Sequence, residues 1–108
     1  PLLGADIKLP LVIAPTGFNG LSWPGGDVAL ARAAAAAGIP FSLSTFSTSR
    51  IEDVARAGGR LWLQLYLLRS TANWGIGDFG DLARFAKLAA DHGCDIVGLN
   101  PLHQMFPA

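Results

Sequence analysis

A chain of 108 residues that is 51% apolar can build one domain with a real core, since domains of about 100–150 residues are the commonest size; it is too short for a closed eightfold barrel, which needs about 200 or more. Eight Lys or Arg balance eight Asp or Glu, which argues against a polybasic nucleic-acid or membrane-surface patch and leaves little electrostatic protection against self-association. The single cysteine, Cys94, rules out an intrachain disulfide and a thiol-rich metal site, so a reducing, cytoplasmic setting is expected.

The opening Pro1-Leu2-Leu3 carries neither a basic region nor an apolar run, and the missing initiator Met reads as a trimmed or recombinant chain. No segment approaches the length of a membrane span, so no membrane partner is expected. The first apolar run predicts a strand at Leu11–Ala14. Gly26-Asp27 then opens a helix over Val28–Ala37, where five consecutive alanines favour the helix and Gly38 stops it. A second strand is expected at Pro40–Thr45, followed by a short helix, Arg50–Ala57, capped by Ser49 and ended by Gly58-Gly59. The third strand covers Leu61–Leu68. A third helix, Phe79–His92, starts after Asp78, carries Leu82, Phe85, Ala86 and Ala89 at helical spacing, and ends at Gly93 before a last strand at Asp95–Asn100.

Strands alternating with helices give an α/β fold with a parallel sheet. The expected architecture is a (βα) half of an eight-stranded barrel of the TIM type, with four strands and three helices. Such a half exposes two sheet edges and a concave face. Two-fold pairing of halves would close the barrel, so a homodimer or higher oligomer is expected.

Candidate site residues follow from strand alternation. Leu61, Leu63, Leu65 and Leu67 form a leucine row suited to packing on helices, while Trp62, Gln64 and Tyr66 point to the other face, where Ser42, Ser44 and Asn100 can join them. Gly75-Ile76-Gly77-Asp78-Phe79-Gly80 has the G-x-G-x-x-G spacing of a dinucleotide loop, yet Asp78 brings negative charge to the phosphate position and Asp95 begins a strand where the fingerprint acid should end one. A turn plus helix cap is the better reading. His92 falls in the last turn of the third helix and reads as structural, whereas His103 follows the last strand on the side where barrel sites lie. Neither histidine has the paired spacing of a zinc site, so no metal is expected. Cys94 reads as a small buried hydrophobe. Trp23 and Trp74, beyond strand ends, can stack on a ring or sugar, but packing over an exposed sheet face is the favoured reading.

Two stretches carry family resemblances. "PLVIAPTGFNGLSWPGGDVALARAAAAAGIPFSLSTFS", "SRIEDVARAG" and "LWLQLY", together spanning about residues 3–66, resemble FMN-dependent α-hydroxy acid dehydrogenases and oxidases of the mandelate type. The resemblance implies that Pro15, Thr16 and Gly17 lie against the flavin through the backbone, that Ser44 contacts its ring system, that Gln64 bonds its pyrimidine edge, and that Tyr66 faces the substrate. In that family the base histidine, the flavin-facing lysine and the substrate and phosphate arginines come from later strands, and the pattern does not continue after Tyr66. "LQLYLLRSTANWGIGDFGDLARFAKLAADHGCDIVGLNPLHQMFPA", from about residue 63 to residue 108, resembles 4-α-glucanotransferases of the amylomaltase type. Their catalytic carboxylates lie farther along, and retaining glycosyl transfer needs two carboxyls about 5 Å apart across the scissile bond, a role that proximity in sequence does not give Asp78 and Asp81.

The resemblances overlap at Gln64-Leu65-Tyr66. The expected reading is therefore a single domain over residues 1–108, an engineered or recombined chimera with a flavoenzyme-like segment 1–66 and a glucanotransferase-like segment 67–108. No complete active site, no catalytic residues and no required cofactor are expected. One alternative is weak FMN binding by Pro15, Thr16, Gly17, Ser44 and Gln64, with Tyr66, Asn100 and His103 as vestigial substrate-facing groups. Another is a glucanotransferase fragment.

Overall fold

The computed structural model describes residue 4, residues 6–65 and residues 79–99. Along the chain these form α1 (Asn19–Ser22), α2 (Gly26–Ala37), β1 (Phe41–Leu43), α3 (Ile51–Ala55), β2 (Leu61–Leu65), α4 (Phe79–Asp91) and β3 (Cys94–Leu99). The sheet is parallel throughout, in the order β1-β2-β3. It is the open α/β sheet of a half-barrel, and it differs in detail from the expected four strands and three helices. Where Leu11–Ala14 predicts a strand, only Ile13 forms a bridge, to Phe41. Pro10 and Pro15 flank this run; each lacks an N–H and restricts the residue before it, which confines pairing to the middle. Ile13 N–H donates to Pro40 O at 3.0 Å, and Ile13 O accepts from Ser42 N–H at 2.9 Å.

Alternation in β2 works as expected. Leu61, Leu63 and Leu65 are buried, while Trp62 and Gln64 are half-buried on the opposite face. Each buried leucine contributes about 1.5–3 kcal/mol of transfer free energy. Leu61 and Leu63 join Phe41, Leu43, Val54, Ala31, Ala34, Ala89 and Cys94 in one core beneath the helices. The alanine-rich sequence of α2 matters for more than helix propensity: Ala31 and Ala34 are buried, and their small side chains let the helix lie close to β1. Over β3, α4 buries Ala89 and half-buries Leu82 and Phe85. Ala86, expected on that inner face, is exposed, and Asp81 is buried instead, bonded to Arg84.

Helix boundaries shift by one or two residues from the sequence reading. α2 begins at Gly26, and α3 begins at Ile51 with Arg50 as its N-cap and no side-chain cap bond. Ser49, expected to cap α3, instead donates its N–H to Ser47 Oγ at 3.0 Å. Between β2 and β3 the register slips by one residue: Leu61 pairs with Cys94, but Trp62 pairs with Ile96. The extra residue, Asp95, accepts the Leu61 N–H through Oδ2 at 3.2 Å and faces Arg60 at 3.6 Å. Leu67, Trp74 and the start of the glycine-spaced turn lie outside the described residues.

Candidate functional site

The C-terminal ends of parallel strands are where a barrel gathers its ligand-facing groups, and here the chain places Pro15 two residues beyond the Ile13 bridge, Ser44 one residue beyond β1, and Gln64 near the end of β2. Ser44, only 8% exposed, directs Oγ toward Gln64 Oε1 at 3.4 Å and accepts the Phe46 N–H at 3.1 Å. The Thr45 hydroxyl donates to Gln64 O at 2.5 Å, tying the loop after β1 to β2.

Pro15 and Gln64 line a cavity of about 210 Å³ on the concave face together with Ser42, Trp62, Leu63, Ile96 and Gly98, and Ser44 stands behind Gln64. Gly17 stands beside Ser44: a β-carbon on it would lie 3.1 Å from Phe46 Cβ and 3.8 Å from Ser44 Oγ. Of the five residues expected to meet a cofactor, Pro15, Gly17, Ser44 and Gln64 thus converge. Thr16 is exposed, and its hydroxyl turns to Asn19 Oδ1 at 3.0 Å while its carbonyl accepts from Asn19 Nδ2 at 3.1 Å. Tyr66, Asn100 and His103 lie outside the described residues.

Sequence reasoning missed the group that organises this end of the fold. Asp27, taken only as a helix opener, is fully buried, and its carboxylate accepts from Asn19, Ser47 and Thr48. The usable signal was an acid followed by an apolar helix, with a Ser-Thr-Ser run, residues 47–49, available to satisfy it. His92 Nδ1 lies 2.8 Å from Leu88 O, and its Nε2 is 3.8 Å from Glu52 on α3, well away from the cavity. Trp23 is 67% exposed. Cys94 is buried, and that burial, assisted by the neighbouring Asp95 charge, pushes its thiol up to about 11. Among the described residues no group of three or more His, Cys, Asp or Glu is arranged to hold a metal, and no helix is long and apolar enough to cross a membrane.

The sequence and the fold have counterparts in known proteins. Residues 1–74 match the family described as FMN-dependent dehydrogenase. The chain belongs to the FMN-dependent dehydrogenase family. Among relatives of this flavoenzyme family, the (S)-mandelate dehydrogenase of Pseudomonas putida is 59% identical over 68 residues, covering 62% of this chain and 17% of that protein. A crystal structure of mandelate oxidase with 3,3-difluoro-2-hydroxy-3-phenylpropionic acid superposes with a TM-score of 0.74 at 35% identity, covering 89% of this chain and 27% of that one. That coverage runs past residue 74, so part of the α4–β3 region also fits the flavoenzyme frame. Residues 63–108 match a second family, 4-alpha-glucanotransferase. The 4-alpha-glucanotransferase of Haemophilus influenzae is 61% identical over 46 residues, 43% of this chain and 7% of that protein. The chain thus spans well under a third of the length of each of these relatives.

The donor set of the site fits a flavin ring. The pyrimidine edge of an isoalloxazine offers two carbonyl acceptors flanking an N–H donor, and a hydroxyl beside a carboxamide supplies groups of both kinds. No Lys or Arg stands among the described cavity-lining residues, so the fit is to the ring, with no cationic partner for a phosphate at that place.

Proposed function

We propose that the chain is a flavin-ring-binding portion of an FMN-dependent α-hydroxy acid dehydrogenase barrel and binds FMN weakly. The observation that carries this reading is the 3.4 Å contact between Ser44 and Gln64, the latter a lining residue of the concave cavity. In this role Pro15, Thr16 and Gly17 give the ring a backbone wall, Ser44 meets the ring system, and Gln64 reads the pyrimidine edge. Tyr66, Asn100 and His103 are proposed as substrate-facing groups. When bound, the flavin supplies the capacity to accept a hydride equivalent; the residues named here bind and orient it, and none of them is assigned the proton abstraction a hydroxy acid requires.

Flavin fluorescence during titration of the purified chain tests the reading. Quenching that saturates, and that weakens at least fivefold in Gln64→Ala and Ser44→Ala, is expected for FMN and for riboflavin alike. Unchanged fluorescence at millimolar FMN would overturn it.

A second reading rests on the match of residues 63–108 to 4-alpha-glucanotransferase. On it the chain is an engineered or recombined single domain, flavoenzyme-like over 1–66 and glucanotransferase-like over 67–108, which acts as a folding scaffold and pairs with a second copy to cover its open sheet. A well-folded monomer by light scattering at high concentration would sink the pairing.

A further inference from the structure

Asp27 has no solvent-accessible surface and does not line the concave cavity, yet two loops converge on it. Its Oδ1 accepts from Asn19 Nδ2 at 2.7 Å, and its Oδ2 accepts from Ser47 Oγ at 2.8 Å and Thr48 Oγ1 at 3.3 Å. Each donor is held by a further bond, Asn19 and Ser47 within their own segments and Thr48 across to the first one. Asn19 donates to Thr16 O at 3.1 Å. Thr48 Oγ1 accepts the Gly20 N–H at 2.9 Å, and Ser47 Oγ accepts the Ser49 N–H at 3.0 Å. The carboxylate itself rides on α2, which is packed on the sheet through Ala31 and Ala34.

A charge held out of water must be met by donors, and hydrogen bonds to an ionised group are roughly twice as strong as neutral ones. Burial works to raise the Asp27 pKa, but the bonds from Asn19, Ser47, Ser49 and Thr48 outweigh it and hold the carboxyl below its ordinary value. The two loops also touch directly, since Phe18 N–H donates to Phe46 O at 2.9 Å and the two rings stack at 5.9 Å. Both rings are more than half exposed, and Phe18 holds a left-handed φ of 57°, a conformation unfavourable for a side chain of its size that the surroundings must enforce.

We propose that Asp27 is the shared anchor that fixes the segment of residues 15–22 against the loop of residues 44–49, and so a positioning residue for any ligand in the cavity lined by Pro15 of the first and by Gln64, which Ser44 of the second contacts. Its bearing on flavin rests on the function proposed above; the coupling of the loops does not.

Amide hydrogen exchange on the ligand-free chain, paired with FMN titration, tests this. In Asp27→Asn the amides of Phe18, Gly20 and Ser49 should exchange at least tenfold faster while those of Phe41 and Leu61 stay within twofold, and FMN affinity should fall at least tenfold. Asn19→Ala removes a donor from the first loop alone and should still speed exchange at Ser49, in the second, at least threefold. It decides the matter if Asp27→Asn fails to fold. Loops that respond independently, or sheet amides that loosen as much as the loops, would overturn the proposal. If the parent chain shows no FMN binding, the flavin reading fails and the exchange pattern alone decides the role of Asp27.

Discussion

Gln64 and Gly98 face each other across the β2–β3 pair, so the carboxamide has a neighbour without a side chain. A β-carbon on Gly98 would meet only Leu63 O, at an ordinary 3.5 Å, so the position has room. Gly98→Val should therefore leave stability unchanged or raise it by up to about 1 kcal/mol, because a branched residue suits a strand better than glycine does. It should also fill the cavity beside Gln64 and weaken flavin binding at least tenfold. Thermal unfolding and fluorescence titration of the same sample separate the two effects.

Two consecutive glycines offer a paired test of packing. Gly58 and Gly59 both have positive φ, at 80° and 82°, but a β-carbon on Gly58 meets nothing within 4 Å, whereas one on Gly59 would lie 2.7 Å from Ala35 Cβ and 3.0 Å from its Cα. Gly58→Ala should cost about 1–2 kcal/mol of backbone strain. Gly59→Ala should cost about 1–3 kcal/mol more through the clash with α2. Urea midpoints at constant slope measure the difference.

The buried Asp27 carboxylate gives stability a definite pH dependence. Its folded-state pKa lies below the ordinary 3.8, so the unfolded chain takes up the proton first. The contribution is fully present above about pH 4 and is lost as pH falls through the lower folded-state value. The stability gap between the parent chain and Asp27→Asn should accordingly be constant from pH 5 to 7 and shrink below about pH 4, as read by denaturant unfolding at each pH.

Cys94 should be chemically quiet. With its thiol at about 11 and its side chain in the core, little thiolate exists at pH 8, and the thiolate is the nucleophile. Iodoacetamide should label the folded chain at least a hundredfold more slowly than the chain in denaturant. Equal rates would mean that β3 is not packed as described.

The sheet and its helices were legible because they rest on periodicity: the leucine row of β2 and the alanine-rich face of α2 announce what they bury. The first strand was not, because its apolar run hides the two prolines that limit pairing to Ile13. At the candidate site, Ser44 and Gln64 were readable from alternation and family likeness, while the Asp27 cluster was not. Asp27 meets Ser47 and Thr48 at separations of 20 and 21 residues, and nothing local in a sequence reports a hydrogen bond formed across the fold. The exchange of Ala86 for Asp81 on the inner face of α4 has a different cause: the Arg84 partner is only three residues away, but an acid at a helix start reads as solvent-facing and its burial depends on tertiary packing.

The added residue at Asp95 acts as a phase shifter. Because side chains alternate along a strand, one surplus residue inverts the parity of everything after it. Were Asp95 paired opposite Trp62 instead of bulging out of the ladder, Val97 would stand opposite Gln64 and fill the cavity. The empty place beside the carboxamide is thus set by one residue left out of the pairing, and any segment joined to this sheet beyond β2 can be brought into step, or thrown out of it, by a single such bulge.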